Sequence, residues 1–301
     1  MSTELELKFA LPEAFLSQLI SLLPQLGETV AADSASLLNA YFDTTDRWFR
    51  RHDMGLRSRQ KRGSFEQTLK LAGRQHGAMQ LRPEYNLPCS SVVPQLSAFD
   101  SGVWPEGTDV ARLQQQLTEL FRTDFQRHSW LLQCEDGSQI ELVYDSGEVR
   151  AEQQREAIAE LELEFVSGKP GQLFVLARQL LNALPLRSGY LSKAARGYML
   201  AAGSVVSLTQ NSANTLAAQL KALQQAEMVY DRTGNDKALS AAADAMLQLQ
   251  ALLLQQHQQQ AAALAAPLAQ QLAQQQYVFD LPAYNLLLLQ LTQLLYLQMQ
   301  E

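Results

Sequence analysis

Over residues 1 to about 200 the chain alternates apolar and polar side chains in short runs, the period of strands with one face buried. In Glu4-Leu5-Glu6-Leu7-Lys8-Phe9 the charged residues share one face, and Leu5, Leu7 and Phe9 share the other. The same alternation recurs at 36–43, 54–61, 65–71, 79–87, 125–135, 139–149 and 157–166, giving eight strands in all. Polar, glycine-centred turns at Arg62-Gly63-Ser64 and Asp136-Gly137-Ser138 predict two antiparallel hairpins. Helical spacing predicts helices over 12–23, stopped by Pro24 and Gly27, and over 111–121 and 171–184. A short helix follows at 192–202, with Ser192 as its N-cap.

The period then changes for good. Residues 203–214 are mainly Ser, Thr, Asn and Gln and read as a linker, while 215–301 carry Ala, Leu and Gln at helical spacing. Breaks at Arg232-Thr233-Gly234-Asn235, around Pro267 and at Asp280-Leu281-Pro282 predict three or four bundled helices. The Gln runs between 255 and 260 read as solvated helix faces, with His257 an unpromising metal ligand because no second ligand is spaced to join it. The expected fold class is α+β: an eight-stranded antiparallel barrel or tunnel with covering helices (1–202), then an all-α bundle.

Charge sharpens the barrel expectation. Arg57, Arg59 and Lys61 share a face, as do Glu66 and Lys70, Arg82 and Glu84, Glu141 and Asp145, and Glu160, Glu162 and Glu164. The opposite faces hold Leu56, Leu69, Leu81, Ile140, Leu142, Leu161, Leu163 and Phe165. Both signs occur repeatedly on the polar faces, which solvation alone does not require. A flat sheet with a wet outer face fits the alternation too. Closure of eight strands instead turns the charges inward, into a space that holds side chains or one small ligand. Buried ion pairs are weak stabilisers, so structure is a poor reason for so many of them. A polyanion together with one or two divalent cations gives the arrangement a purpose.

Composition narrows the partners. The 301 residues have a net charge of −7, which disfavours nucleic acid and requires any anionic substrate to be drawn by local clusters of Arg and Lys. Charges from Glu4 onward leave no signal-peptide core, and no apolar run reaches membrane-spanning length. Cys89 and Cys134, without a CxxC, suit reduced thiols and a cytoplasmic protein.

The opening Glu-x-Glu-x-Lys, Tyr41-Phe42-Asp43-Thr44, Gly55-Leu56-Arg57-Ser58-Arg59, Leu69-Lys70, Glu162-Leu163-Glu164 and Ser192-Lys193 together resemble the CYTH superfamily, the triphosphate tunnel metalloenzymes. Order and spacing are most similar to the inorganic triphosphatases that carry a C-terminal CHAD helical domain. The resemblance implies metal-dependent hydrolysis of inorganic tripolyphosphate to pyrophosphate and phosphate, with Mg²⁺ or Mn²⁺ on the Glu-x-Glu pairs of the first and last strands. By matching position, Glu4, Glu6, Asp145, Glu162 and Glu164 would be metal ligands. Lys8, Arg57, Arg59, Lys70, Arg127 and Lys193 would bind phosphate, joined by Arg82 from its place among the inward charges. Lys8 and Glu84 would be catalytic. Glu160 shares a face with Glu162 and Glu164, so the choice of metal pair among the three stays open. Related tunnels serve thiamine triphosphatases, RNA 5′-triphosphatases and a class of adenylyl cyclase. A non-catalytic polyphosphate-binding scaffold is the other class of reading.

The helical tail departs from that family. After residue 203 it has three basic residues (Lys221, Arg232, Lys237) against six acids, and His257 alone. It resembles a shortened, atypical CHAD domain, suited to packing, partner docking or self-association. If it only docks, removing it spares catalysis.

Overall fold

The computed structural model describes residues 2–203, 206–208 and 213–300. Half of the segment expected to link barrel and tail, 203–214, lies outside the described residues, at 204–205 and 209–212.

Among the described residues, eight strands close into an antiparallel barrel: β1 (Ser2–Ala10), β2 (Glu28–Asp43), β3 (Gly55–Lys61), β4 (Ser64–Lys70), β6 (Met79–Cys89), β7 (Thr118–Gln133), β8 (Gln139–Ala151) and β9 (Gln154–Ser167). Short strands β5 (Arg74–His76) and β10 (Arg187–Ser188) add to β6 and β1. Closure comes from β1, which pairs with β9 on one side and β6 on the other. Closing the sheet leaves no long edge exposed for another chain to pair with. The turn between β3 and β4 is Arg62-Gly63, both at positive φ (51° and 82°), as a two-residue hairpin turn of matching twist requires.

Three differences from the sequence reading have physical causes. Strands β2 and β7 run 16 residues each and pair along their whole length, so β2 begins at Glu28 rather than 36. Its first residues are exposed and lack apolar alternation, so local pattern carried no sign of them. The helix expected over 111–121 is shorter, α3 (Val110–Gln116), because Thr118 to Phe121 already belong to β7. Neither Pro24 nor Pro267 ends a helix. They lie inside α1 (Leu16–Leu26) and α8 (Gln259–Ala273), where packing of buried Leu19, Leu23 and Leu26, or of Ala262, Ala265 and Leu268, outweighs one lost backbone bond.

The outer barrel face is apolar and covered. Leu5, Leu7, Phe9, Ile140, Leu142, Leu161 and Leu163 pack with α1 and α4 (Gln172–Ala183) into one core. Leu56 and Leu69 join Phe42, Phe99, Leu113 and Phe49 of the short α2 (Trp48–Arg51) on the other side. The inner face is not charged throughout. Tyr41, Phe121 and Phe125 form an apolar end to the interior, against which α5 (Lys193–Ala202) packs. Gly197 is needed there, since a Cβ would lie 2.1 Å from the Phe121 ring.

The tail comprises α6 (Leu216–Thr233), α7 (Asp236–Gln255), α8 and α9 (Pro282–Gln298). The break between α7 and α8 falls at Gln256-His257-Gln258, with His257 at φ 59°, inside the glutamine run expected to be helix face. Its core is Leu and Ala. Yet Leu289 and Tyr296 of α9 are buried in the barrel's own outer core, so the tail is a cover as well as a bundle. Among the described residues, no helix is long and apolar enough to cross a membrane.

Candidate active site

Register brings the charged faces together. In the ladders, Glu4 stands opposite Arg82, Lys8 opposite Glu162 and Glu6 opposite Glu164. Lys70 stands opposite Glu84, and Arg127 opposite Asp145, which in turn faces Glu160. Glu4, Glu6, Lys8, Arg57, Arg59, Lys70, Arg82, Arg127, Glu162, Glu164 and Lys193 all line one cavity. Tyr41, Gln80 and Ser192 line it as well; Tyr41 and Ser192 stand out in the sequence only as motif members and a helix cap, and Gln80 not at all, because an uncharged residue gives no local signal of facing a cavity.

The cavity has two layers. Its floor is neutralised. Buried Lys193 bonds Asp145, Glu160 and Glu162 at 2.8, 2.7 and 2.9 Å. Arg127 binds Asp145 in bidentate fashion, both distances 2.7 Å, and reaches Glu162 at 3.1 Å. Lys8 lies 3.4 Å from both Glu6 and Glu162. Burial alone would raise the Glu162 carboxyl, but Lys193, Lys8 and Arg127 hold it well below the usual range. Asp145 is lowered likewise, burial losing to Lys193 and Arg127. Asp145 and Lys193 are thus engaged with one another, and Asp145 does not join the acids above it.

The upper layer is unbalanced. Ligand oxygens of Glu4, Glu6 and Glu164 lie within 4.8 Å of one another. Burial, reinforced by neighbouring Glu162 and Glu4, raises the Glu6 carboxyl. Burial and the fields of Glu162, Glu6 and Glu4 push Glu164 up to about 8, despite Arg127. Each acid of the trio has one basic neighbour, Lys70 at Glu4, Lys8 at 3.4 Å from Glu6 and Arg127 at 3.9 Å from Glu164, yet Glu6 and Glu164 stay raised, and the three facing carboxyls form an oxygen donor set that fits a hard divalent cation. Facing the same space, Arg57, Arg59 and Arg82 make no ion pair within 4.0 Å among the described residues. Burial, with Arg57 and Arg127 close by, brings the Arg59 guanidinium down to about 9. The buried Nε of Arg57 has no hydrogen-bond partner. Arg59 is held by Asn39 at 2.7 Å, and Arg82 by the carbonyls of Leu71 and Asp53 at 3.0 Å. Arg59 and Arg82 are thus held by neutral groups rather than by carboxylates.

Lys70 bridges Glu4 and Glu84. Glu84 also accepts from Asn86 at 2.7 Å and sits beside the cavity rather than among its lining residues. Glu160 serves the floor, tied to Lys193 and to Arg196 at 2.5 Å, while Glu164 belongs to the acid trio. Asp43, in the Tyr-Phe-Asp-Thr motif, is a structural hub: its carboxylate accepts from the backbone N–H of Thr44, Phe49 and Arg50 and from the Tyr198 hydroxyl.

The CYTH domain profile matches residues 2–198. The chain belongs to the CYTH domain family. It is 33% identical over 204 residues to an inorganic triphosphatase of Haemophilus influenzae, a match covering 66% of this chain and 55% of that one. The chain thus matches little more than half the length of that relative. Among solved structures, a candidate adenylyl cyclase from Hippeastrum with a dominant triphosphatase activity is similar at TM-score 0.46 and 18% identity, covering 67% of this chain and 96% of that one. A candidate adenylate cyclase from Bacillus halodurans is similar at TM-score 0.40 and 22% identity, covering 64% and 96%. At these scores the likeness decides nothing about activity. The match to residues 2–198 spans the whole CYTH barrel and its charged cavity, and stops before the helical tail.

Proposed function

We propose that this CYTH barrel hydrolyses inorganic triphosphate to pyrophosphate and phosphate, with Mg²⁺ or Mn²⁺ as cofactor, in a cytoplasmic setting. The observation that carries the reading is the upper layer: three crowded carboxyls, two of them raised, and three guanidiniums in no ion pair, all lining one cavity. A metal-bound triphosphate would match both sets. Glu4, Glu6 and Glu164 would hold the cation, whose chemistry is to neutralise phosphate charge and make a bound water more acidic. Arg57, Arg59 and Arg82 would grip phosphate oxygens, since the guanidinium fork suits them, and Lys70 would add a point charge.

Hydrolysis asks mainly for positioning and charge neutralisation, because the phosphoryl-transfer transition state is loose. Water oxygen bonds to a terminal phosphorus, the bridging P–O bond breaks, pyrophosphate leaves with the electron pair, and the water proton is released. The neutralised floor formed by Lys193, Arg127, Asp145 and Glu162 gives this chemistry a rigid base. Inorganic triphosphate needs no base or sugar pocket, which favours it over organic triphosphates. The relative's name supports the same choice. Phosphate release from tripolyphosphate, ATP and thiamine triphosphate, each with and without Mg²⁺, tests it. Tripolyphosphate should turn over fastest; equal or faster turnover of ATP would contradict the substrate assignment.

A further inference from the structure

The tail does more than cover the barrel, because two chains of contacts connect it to the cavity lysines. The first runs through β10. Asn285 of α9, fully buried, accepts from the Ser188 backbone N–H at 2.8 Å and donates to the carbonyls of Phe279 and Leu281. The neighbouring Arg187 is gripped by Glu227 and Asp231 of α6 at 2.7 and 2.6 Å, and Tyr284 of α9 donates to Glu227 at 2.8 Å. From this clamp the strand goes straight to the site. Gly189 N–H donates to the Lys8 carbonyl at 2.8 Å, and a Cβ on Gly189 would lie 2.8 Å from Lys8 Cγ. Four residues later the same segment delivers Lys193 into the floor.

The second route is a relay of ion pairs. Arg232 of α6 binds Glu156 at 2.8 Å, Glu156 also takes Arg196 at 3.3 Å, and Arg196 binds Glu160 at 2.5 Å. Glu160 is one of the three carboxylates on Lys193. Both routes therefore end on the floor that supports the acid trio.

We infer that Arg187, Asn285 and Arg232 are positioning residues for the hydrolysis proposed above: the tail fixes segment 187–193, and through it the placement of Lys8 and Lys193. The inference rests on the triphosphatase reading of the cavity, and it differs from the docking-only case, in which removing the tail would spare catalysis. Docking alone would need none of these polar contacts, since Leu289 and Tyr296 already bury α9 against the barrel. Displacements near 1 Å can cost about 100-fold in rate, so a loosened clamp should be visible in turnover.

The test uses the full chain with Asn285→Ala, Arg187→Met, Arg187→Lys and Arg232→Met, assayed on tripolyphosphate with Mg²⁺ beside thermal melts. We expect kcat to fall roughly 10-fold or more for Asn285→Ala and Arg187→Met while KM moves far less, because the substrate-gripping arginines are untouched. Arg187→Lys should recover part of the loss, and the half-exposed Arg232→Met should show a smaller drop in kcat in a chain that still folds. Wild-type kcat in Arg232→Met together with any one folded clamp variant would overturn the inference, as would a lower melting point with kcat unchanged. If the wild type prefers another triphosphate, the substrate assignment fails and the same comparison is made on that substrate. If it hydrolyses none, tripolyphosphate affinity by calorimetry is the readout, and equal affinity in all variants overturns the inference.

Discussion

The barrel and the tail solve the same problem, filling an interior, with opposite chemistry. The tail is filled with Leu and Ala, whose burial is favourable wherever the helices pack. The barrel puts most of its Leu outside, under helices, and gives its interior, apart from the apolar end at Tyr41, Phe121 and Phe125, to acids and bases. Burying an ion costs several kcal/mol before any pairing offsets it, so the two interiors respond differently to substitution, pH and metal. An apolar core is sensitive to volume. A charged cavity is sensitive to balance.

The largest expected effect concerns the acid trio. Glu6→Gln should lower metal-dependent turnover by about 10³-fold or more, the scale on which loss of a preorganised electrostatic contact removes catalysis. The metal-free chain should keep its circular dichroism and melt no lower than wild type, because one of three crowded acids has gone. Full activity in Glu6→Gln would break the division between a working upper layer and a supporting floor.

The floor and the tail core give a matched pair. Lys193→Met removes the one cation shared by Asp145, Glu160 and Glu162, leaving this buried cluster under-neutralised by Arg127, Lys8 and Arg196, and should cost about 3–5 kcal/mol by urea unfolding. Leu249→Ala in the tail should cost roughly 2–5 kcal/mol through its cavity. The two should differ in pH response: the Lys193 loss shrinks as the under-neutralised acids are protonated, whereas the Leu249 loss stays flat between pH 5 and 9.

A smaller effect is the pH slope of the metal-free protein. The folded Glu164 carboxyl is raised to about 8 from an ordinary 4.5, so folding favours its neutral form. That contribution is complete below pH 4.5 and is lost as pH rises toward 8. Glu162 and Asp145 act with the opposite sign, stabilising above their ordinary range and failing in acid. Thermal melts in EDTA should therefore decline from about pH 5 to 8, and saturating Mg²⁺ should flatten that decline. A metal-insensitive slope would remove the acid trio as the cation site.

Much of this was legible in the sequence. Period-two alternation put Glu6 with Lys8, Arg57 with Arg59 and Glu162 with Glu164 on shared strand faces, and the abundance of both charge signs favoured closure over a wet sheet. What local pattern could not carry was pairing. Nothing in Asp145 or Lys193 announces that they bind each other, since 48 residues separate them and only the β7–β8–β9 register and the entry of α5 bring them together. For the same reason Glu160 and Glu164, chemically alike and four residues apart, could not be told apart until their partners were known. The exposed start of β2 and the prolines inside α1 and α8 were missed because long-range packing overrides local preference.

The most direct test of the central claim is phosphate release from purified chain and tripolyphosphate, with Mg²⁺ or Mn²⁺ and then with excess EDTA. The account predicts release that requires the divalent cation and disappears in Glu6→Gln. Release that persists in EDTA, or none from the folded wild-type chain with either metal, would contradict it.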